Sequence, residues 1–85
     1  MAQVLVDTSA VYALIDKDDN YHRRAVTILR SLPRHGLSPF LTNFVVAESH
    51  ALLLSRLGAQ TARDWLLNQN WPIEPVSLAD EEKAK

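Results

Sequence analysis

The chain has 85 residues, which fits one small domain rather than two. The lack of cysteine excludes a disulfide-stapled scaffold and a thiolate-bound zinc site, and fits a reducing, cytoplasmic setting. Hydrophobic residues make up 47% and charged residues 22%, an ordinary globular balance that argues against disorder, and the net charge of −1 singles out no class of partner.

Val4-Leu5-Val6 is a short apolar run with two β-branched residues, closed at once by Asp7-Thr8-Ser9, and reads as a buried strand running into a turn or helix cap. Nothing basic precedes it, so no signal peptide is expected. Residues 10–15 read as a short helix, and 16–20 as a polar break. Asn20 is a good N-cap for a second helix whose apolar residues, Tyr21, Ala25, Ile28, Leu29 and Leu32, recur at i, i+4, i+7, i+8 and i+11, a one-sided stripe. Pro33 and Gly36 end it.

Pro39-Phe40-Leu41 predicts a second strand. Thr42 or Asn43 caps the helix 44–57, and Gly58 stands where a helix-ending glycine belongs. This helix is apolar almost all round and is expected to be buried on most sides, at the centre of the core. Residues 59–69 predict a further helix anchored by Ala62, Trp65 and Leu66, and 73–76 a third strand that Pro75 places near an edge. Trp65 and Trp71 read as core or interface anchors. Ser77-Leu78-Ala79-Asp80 resembles a capping box, with Asp80, Glu81 and Glu82 in the first turn of a last helix. Strands separated by helical crossovers imply a parallel sheet, with functional groups at the carboxyl ends of its strands. The longest apolar runs fall far short of the roughly 18 residues a membrane-spanning helix needs.

Charge is unevenly spread. Residues 21–63 carry all six arginines against one acid, while the flanking segments are acidic. Arg23, Arg24, Arg30 and Arg34 fall on the outer face of the second helix, either as a solvated surface or as a contact for a polyanion such as RNA.

Two carboxylates carry the chemical argument. Asp7 ends the first strand, where it can cap the next helix, bind a metal ion, or do both. Glu48 stands one turn into the most apolar helix, between Phe44 and Ala51 on the same face. A buried carboxylate without a partner costs several kcal/mol, so Glu48 must face water, a cation or an opposite charge. Mg²⁺ and Mn²⁺ take hard oxygen ligands, and Mg²⁺ is often held by one or two carboxylates plus substrate phosphate. The remaining acids, Glu74 among them, read as loop or surface residues. No glycine-rich phosphate loop or nucleophile elbow is present, and His22, His35 and His50 are not spaced as a metal cluster.

Val4-Leu5-Val6-Asp7-Thr8-Ser9-Ala10, the stretch from Asp16 to His22 with Ala25, and Leu41-Thr42-Asn43 followed five residues later by Glu48 resemble the amino-terminal part of a PIN domain, closest to the VapC-type toxins of toxin–antitoxin pairs. The resemblance implies an α/β three-layer sandwich around a central parallel sheet, with the carboxy-terminal strands and helices missing, so that residues 1–85 form a single PIN-like unit cut short on that side. It implies a metal-dependent endoribonuclease in which Mg²⁺ or Mn²⁺ activates water against RNA phosphodiesters. Asp7 and Glu48 match the first two acids of the family's set, and Thr8, Ser9 and Thr42 match its supporting polar residues. The family's third and fourth acids have no counterpart within the 85 residues. A homodimer and a small VapB-type antitoxin are the partners the resemblance implies. The missing acids also leave open a catalytically incomplete PIN fragment that serves as an interaction or dimerisation module. A receiver-like doubly wound domain using Asp7 as its strand-end acid is a weaker alternative, since the extra acids and the lysine of such a site are lacking.

Overall fold

The computed structural model describes residues 2–77, in the order β1 (Ala2–Leu5), α1 (Thr8–Ile15), α2 (His22–Ser31), a 3₁₀ turn (Leu32–His35), β2 (Leu37–Thr42), α3 (Asn43–Leu57), α4 (Ala59–Asn68) and β3 (Ile73–Glu74). The three strands form a parallel sheet in the order β1-β2-β3. Both crossovers step the same way along the sheet, which for right-handed connections places their helices on one face. The α/β class and the sequence of elements through the third strand are as expected. The helix expected from Ser77, with Asp80, Glu81 and Glu82, lies outside the described residues.

Local chemistry accounts for the boundaries. Asp7, in an extended conformation, caps α1 two residues earlier than the hydrophobic pattern implied, because its side chain takes the Ala10 N–H. Tyr21, not Asn20, precedes α2, and it brings no side-chain cap; the Asp19 carboxylate accepts the Tyr21 N–H at 3.0 Å instead. Gly36 closes the 3₁₀ turn in the left-handed region, at φ 68°, where glycine avoids the Cβ penalty. β3 has only two paired residues, shorter than the 73–76 strand of the sequence reading. Thr42 ends β2 and caps α3, its Oγ1 accepting the Val45 N–H at 3.1 Å. Thr42→Ala is expected to lower stability by about 1 kcal/mol, the usual value of such a cap, seen as a lower urea midpoint at unchanged slope.

The core lies between the sheet and the helices, in two clusters. Val11, Leu41 and Val45 form one and Tyr12, Leu53 and Ala62 the other, with Trp65 packed against both and Trp71 against the first. Both tryptophans are thus core anchors, as expected.

Two helices are less covered than the sequence implied. On α3 only Val45, Ser49 and Leu53 are buried, one stripe at i, i+4 and i+8, while Ala47, Ala51 and Leu54 are exposed. The expectation of burial on most sides is corrected for a physical reason: α1, α4 and β2 are the elements packed on α3, and they reach one side of it. On α2 no residue is buried, and two of its stripe residues stay open, Tyr21 at 65% and Ile28 at 54% exposure.

The far ends of α1 and α3 are tied together by a polar contact absent from the sequence reading. The Tyr12 hydroxyl donates to Asp16, which also accepts the Asp18 N–H, and the Arg56 guanidinium lies 5.3 Å from the Tyr12 ring centroid. The Tyr12 hydrogen bond, followed by that from Asp18, holds the Asp16 carboxyl below its ordinary value of 3.8, and the same bond to Asp16 lifts the Tyr12 hydroxyl above 10.0. A carboxyl depressed in the folded state stabilises the fold above its unfolded pKa and loses that contribution as pH falls through the lower folded value. A raised phenol stabilises below its unfolded pKa and loses that contribution as pH rises toward the folded value. Tyr12→Phe is therefore expected to lower the thermal midpoint at neutral pH. It is also expected to flatten the midpoint's decline both below pH 3.8 and above pH 10.0, measured by circular dichroism against pH.

Candidate functional site

Strand register builds the site. Leu5 pairs with Phe40 and the Val6 N–H donates to the Phe40 carbonyl, so the same register carried two residues on sets Asp7 level with Thr42. Thr42 in turn pairs with Glu74. Asp7, Thr42 and Glu74 therefore stand in one row at the carboxyl edge of the sheet, about 4.8 Å from strand to strand. By sequence alone Glu74 reads as a loop or surface acid. Its position two residues past Pro72, near the end of a strand that pairs with the residues just before a helix cap, is the signal that locates it here.

Asp7 is exposed, and both of its local bonds fall on one oxygen: Oδ1 accepts the Ala10 N–H at 2.9 Å and the Ser9 hydroxyl at 3.1 Å. Among the described residues nothing bonds Oδ2. Capping and ligand binding, the two alternatives for this residue, are thus compatible: one oxygen holds the cap, and the other makes no bond among the described residues. Thr8 opens α1 and is half-buried. Thr42 is buried at 7% exposure, and its hydroxyl oxygen accepts the Val45 N–H of the α3 cap.

Glu48 lies on α3, one and a half turns past Thr42, beside the buried Ser49 but itself exposed. It makes no hydrogen bond or ion pair among the described residues. Of the three ways to avoid an unpaired buried carboxylate, water, a cation or an opposite charge, Glu48 takes the first.

An open hollow of about 500 Å³ runs from Asp7 and Ser9 between β1, α1 and α2, walled by Leu5, Tyr21, Ile28 and Arg24. Arg24 is therefore the arginine that shares a hollow with Asp7. Arg30 borders a different hollow of about 650 Å³ with Asp64, Trp65 and Trp71. Arg23 and Arg34 are exposed and line neither. The basic face read from the sequence is thus divided between surfaces. Among the described residues, no group of three or more His, Cys, Asp or Glu side chains is placed to hold a metal ion, and no helix is long and apolar enough to cross a membrane.

No protein-family model and no curated protein matches the chain. Among solved structures, VapC20 of Mycobacterium tuberculosis, described as a sarcin-ricin loop cleaving toxin, is similar at a TM-score of 0.78 and 29% identity, over 94% of this chain and 62% of that one. The chain thus spans less than two thirds of that toxin's length. The parallel sheet and its helical crossovers are those of a PIN-like α/β fold, and the chain is similar, in structure and in sequence, to a PIN-domain toxin of the VapC type.

Proposed function

We propose that residues 1–85 are a single PIN-like unit carrying the nuclease site of a VapC-like toxin, a metal-dependent endoribonuclease that hydrolyses RNA phosphodiesters. The observation that carries this reading is Asp7: a strand-end carboxylate with both structural bonds on Oδ1, in a fold similar to that of a toxin described as cleaving the sarcin-ricin loop. The donor set suits a hard cation. Asp7 through Oδ2 and Glu48 through its solvent-facing carboxylate would hold one Mg²⁺ or Mn²⁺, with water completing the shell. Such an ion, when bound, supplies Lewis-acid polarisation of water and of the phosphoryl group. The Ser9 hydroxyl and Ala10 N–H keep the Asp7 carboxylate in place, and Arg24 offers a guanidinium to a phosphate entering the same hollow. Arg23, Arg30 and Arg34 add sequence-independent attraction for the RNA backbone. By the same likeness, a VapB-type antitoxin and a second copy of the chain are the proposed protein partners, and the cytoplasm the compartment.

Incubation of the chain with RNA and millimolar Mn²⁺ is the test. Internal cleavage products that disappear on chelation support the reading, and RNA left intact overturns it.

One observation favours a second reading, a catalytically incomplete PIN unit that acts as an interaction or dimerisation module: the described residues hold no group of three or more acids, histidines or cysteines placed to take a metal ion. Metal titration separates the two. An ion that binds only the native state must raise the thermal midpoint, so a midpoint indifferent to Mn²⁺ supports the module.

A further inference from the structure

β3 is too short to hold itself. Two paired residues tie it to β2, and the Leu41 N–H donates to the Pro72 carbonyl at 2.9 Å. In a parallel ladder a residue that bonds Pro72 on one side bonds Glu74 on the other, and the next such residue on β2, two positions on, would bond Glu74 and Val76. That next residue is Asn43. The Val76 N–H would then seek the Asn43 backbone carbonyl, but Asn43 is the first residue of α3, and its carbonyl turns away along the helix axis. The structure shows the replacement: Val76 N–H donates to the Asn43 side-chain Oδ1 at 2.8 Å, across 33 residues of chain. The asparagine side chain thus supplies one more rung of the sheet beyond the point where the backbone has left it.

We propose that Asn43 is a positioning residue for the site at the carboxyl edge. Its rung pins the head of α3 to the end of β3, and so sets the direction in which α3 carries Glu48 relative to the row of Asp7, Thr42 and Glu74. Asn43 touches neither substrate nor ion; it acts through the helix. By sequence Asn43 is only an alternative cap for α3, and Thr42 fills that role. Because the cap is separate, loss of the Asn43 amide leaves the start of α3 intact and loosens only its tether.

This inference rests on the nuclease reading, and the experiment keeps the two apart. Asn43→Ala and Asn43→Asp are compared with the unaltered chain for hydrogen exchange at the Val76 amide, for the Mn²⁺ concentration giving half-maximal RNA cleavage, and for KM. Asn43→Ala is expected to speed Val76 exchange and to raise the Mn²⁺ requirement about 10-fold, the size found when a residue supporting a metal ligand is removed, while KM for RNA stays within about twofold. Asn43→Asp keeps an acceptor oxygen and is expected to restore both Val76 protection and the Mn²⁺ requirement. Val76 exchange that does not respond to Asn43→Ala overturns the rung. Faster exchange with an unchanged Mn²⁺ requirement overturns the positioning role and leaves the nuclease reading standing. An unaltered chain that cleaves nothing at any Mn²⁺ concentration overturns the nuclease reading, and the positioning role with it.

Discussion

Asp7→Asn is expected to reduce RNA cleavage by about 100-fold or more while the fold is retained, a loss typical of removing one group from a charge-stabilising or ligand set. The substitution isolates the function because asparagine caps helices about as well as aspartate. Its Oδ1 can still accept the Ala10 N–H and the Ser9 hydroxyl, so α1 starts where it did, and only the anionic second oxygen is gone. Asp7→Ala removes both roles. It is expected to match the asparagine variant in activity and to cost about 1 kcal/mol of stability besides, a drop of about 4–8 °C in a domain of this size. Glu48→Gln completes the set. The side chain is exposed and makes no described bond, so its replacement is expected to move stability by less than about 0.5 kcal/mol and yet to reduce cleavage as strongly as Asp7→Asn. Initial rates at saturating Mn²⁺, with melting curves on the same samples, provide the check. Full activity in either isosteric variant would remove that residue from the site.

The capping role of Asp7 was legible in the sequence because its signals are local. A strand-like run, a strand-end acid and an oxygen three residues ahead of a helical N–H need no knowledge of the rest of the chain. Gly58, at φ 96° between α3 and α4, and the two tryptophans were legible for similar reasons, since each follows from its immediate neighbours or its bulk. What composition misjudged was coverage. A helix that is apolar all round signals surface that wants a cover, but whether a cover exists depends on which elements reach it, and on α3 they reach one stripe. The stripe on α2 has the right period and the right residues, yet Tyr21 and Ile28 stay open because the hollow beside β1 is unfilled. The four arginines were read as one face from helical spacing, but what each borders depends on neighbouring elements, and Arg24 and Arg30 belong to different hollows. Asn43 was the least legible. Its partner is 33 residues away, and only the register of a two-residue strand reveals that a side chain is standing in for a carbonyl.

Leu41→Ala is expected to produce the largest loss of stability, about 2–5 kcal/mol, against a total of about 5–15 kcal/mol for a domain. Leu41 is wholly buried, packed with Val11 of α1 and Val45 of α3, and it is the last residue of β2 before Thr42. Truncating it leaves a cavity beneath the carboxyl edge, where α1, α3 and the sheet meet, and a small core has little material that can move in to fill it. The same change made at Leu54, an equally large side chain at 47% exposure on α3, removes surface that water already reaches, and is expected to cost less than about 1 kcal/mol. The pair sets burial against composition, since both leucines sit in runs that look alike in the sequence. Urea unfolding of both variants measures the difference. Equal losses would mean that Leu54 is covered in solution, as expected if a second copy or another partner sits on that face of α3. A large loss at Leu41 alone would also explain a fall in cleavage there without any contact to RNA or metal, because Leu41 packs on Val11 of α1, which the proposed ligand Asp7 caps, and on Val45 of α3, which carries the proposed ligand Glu48.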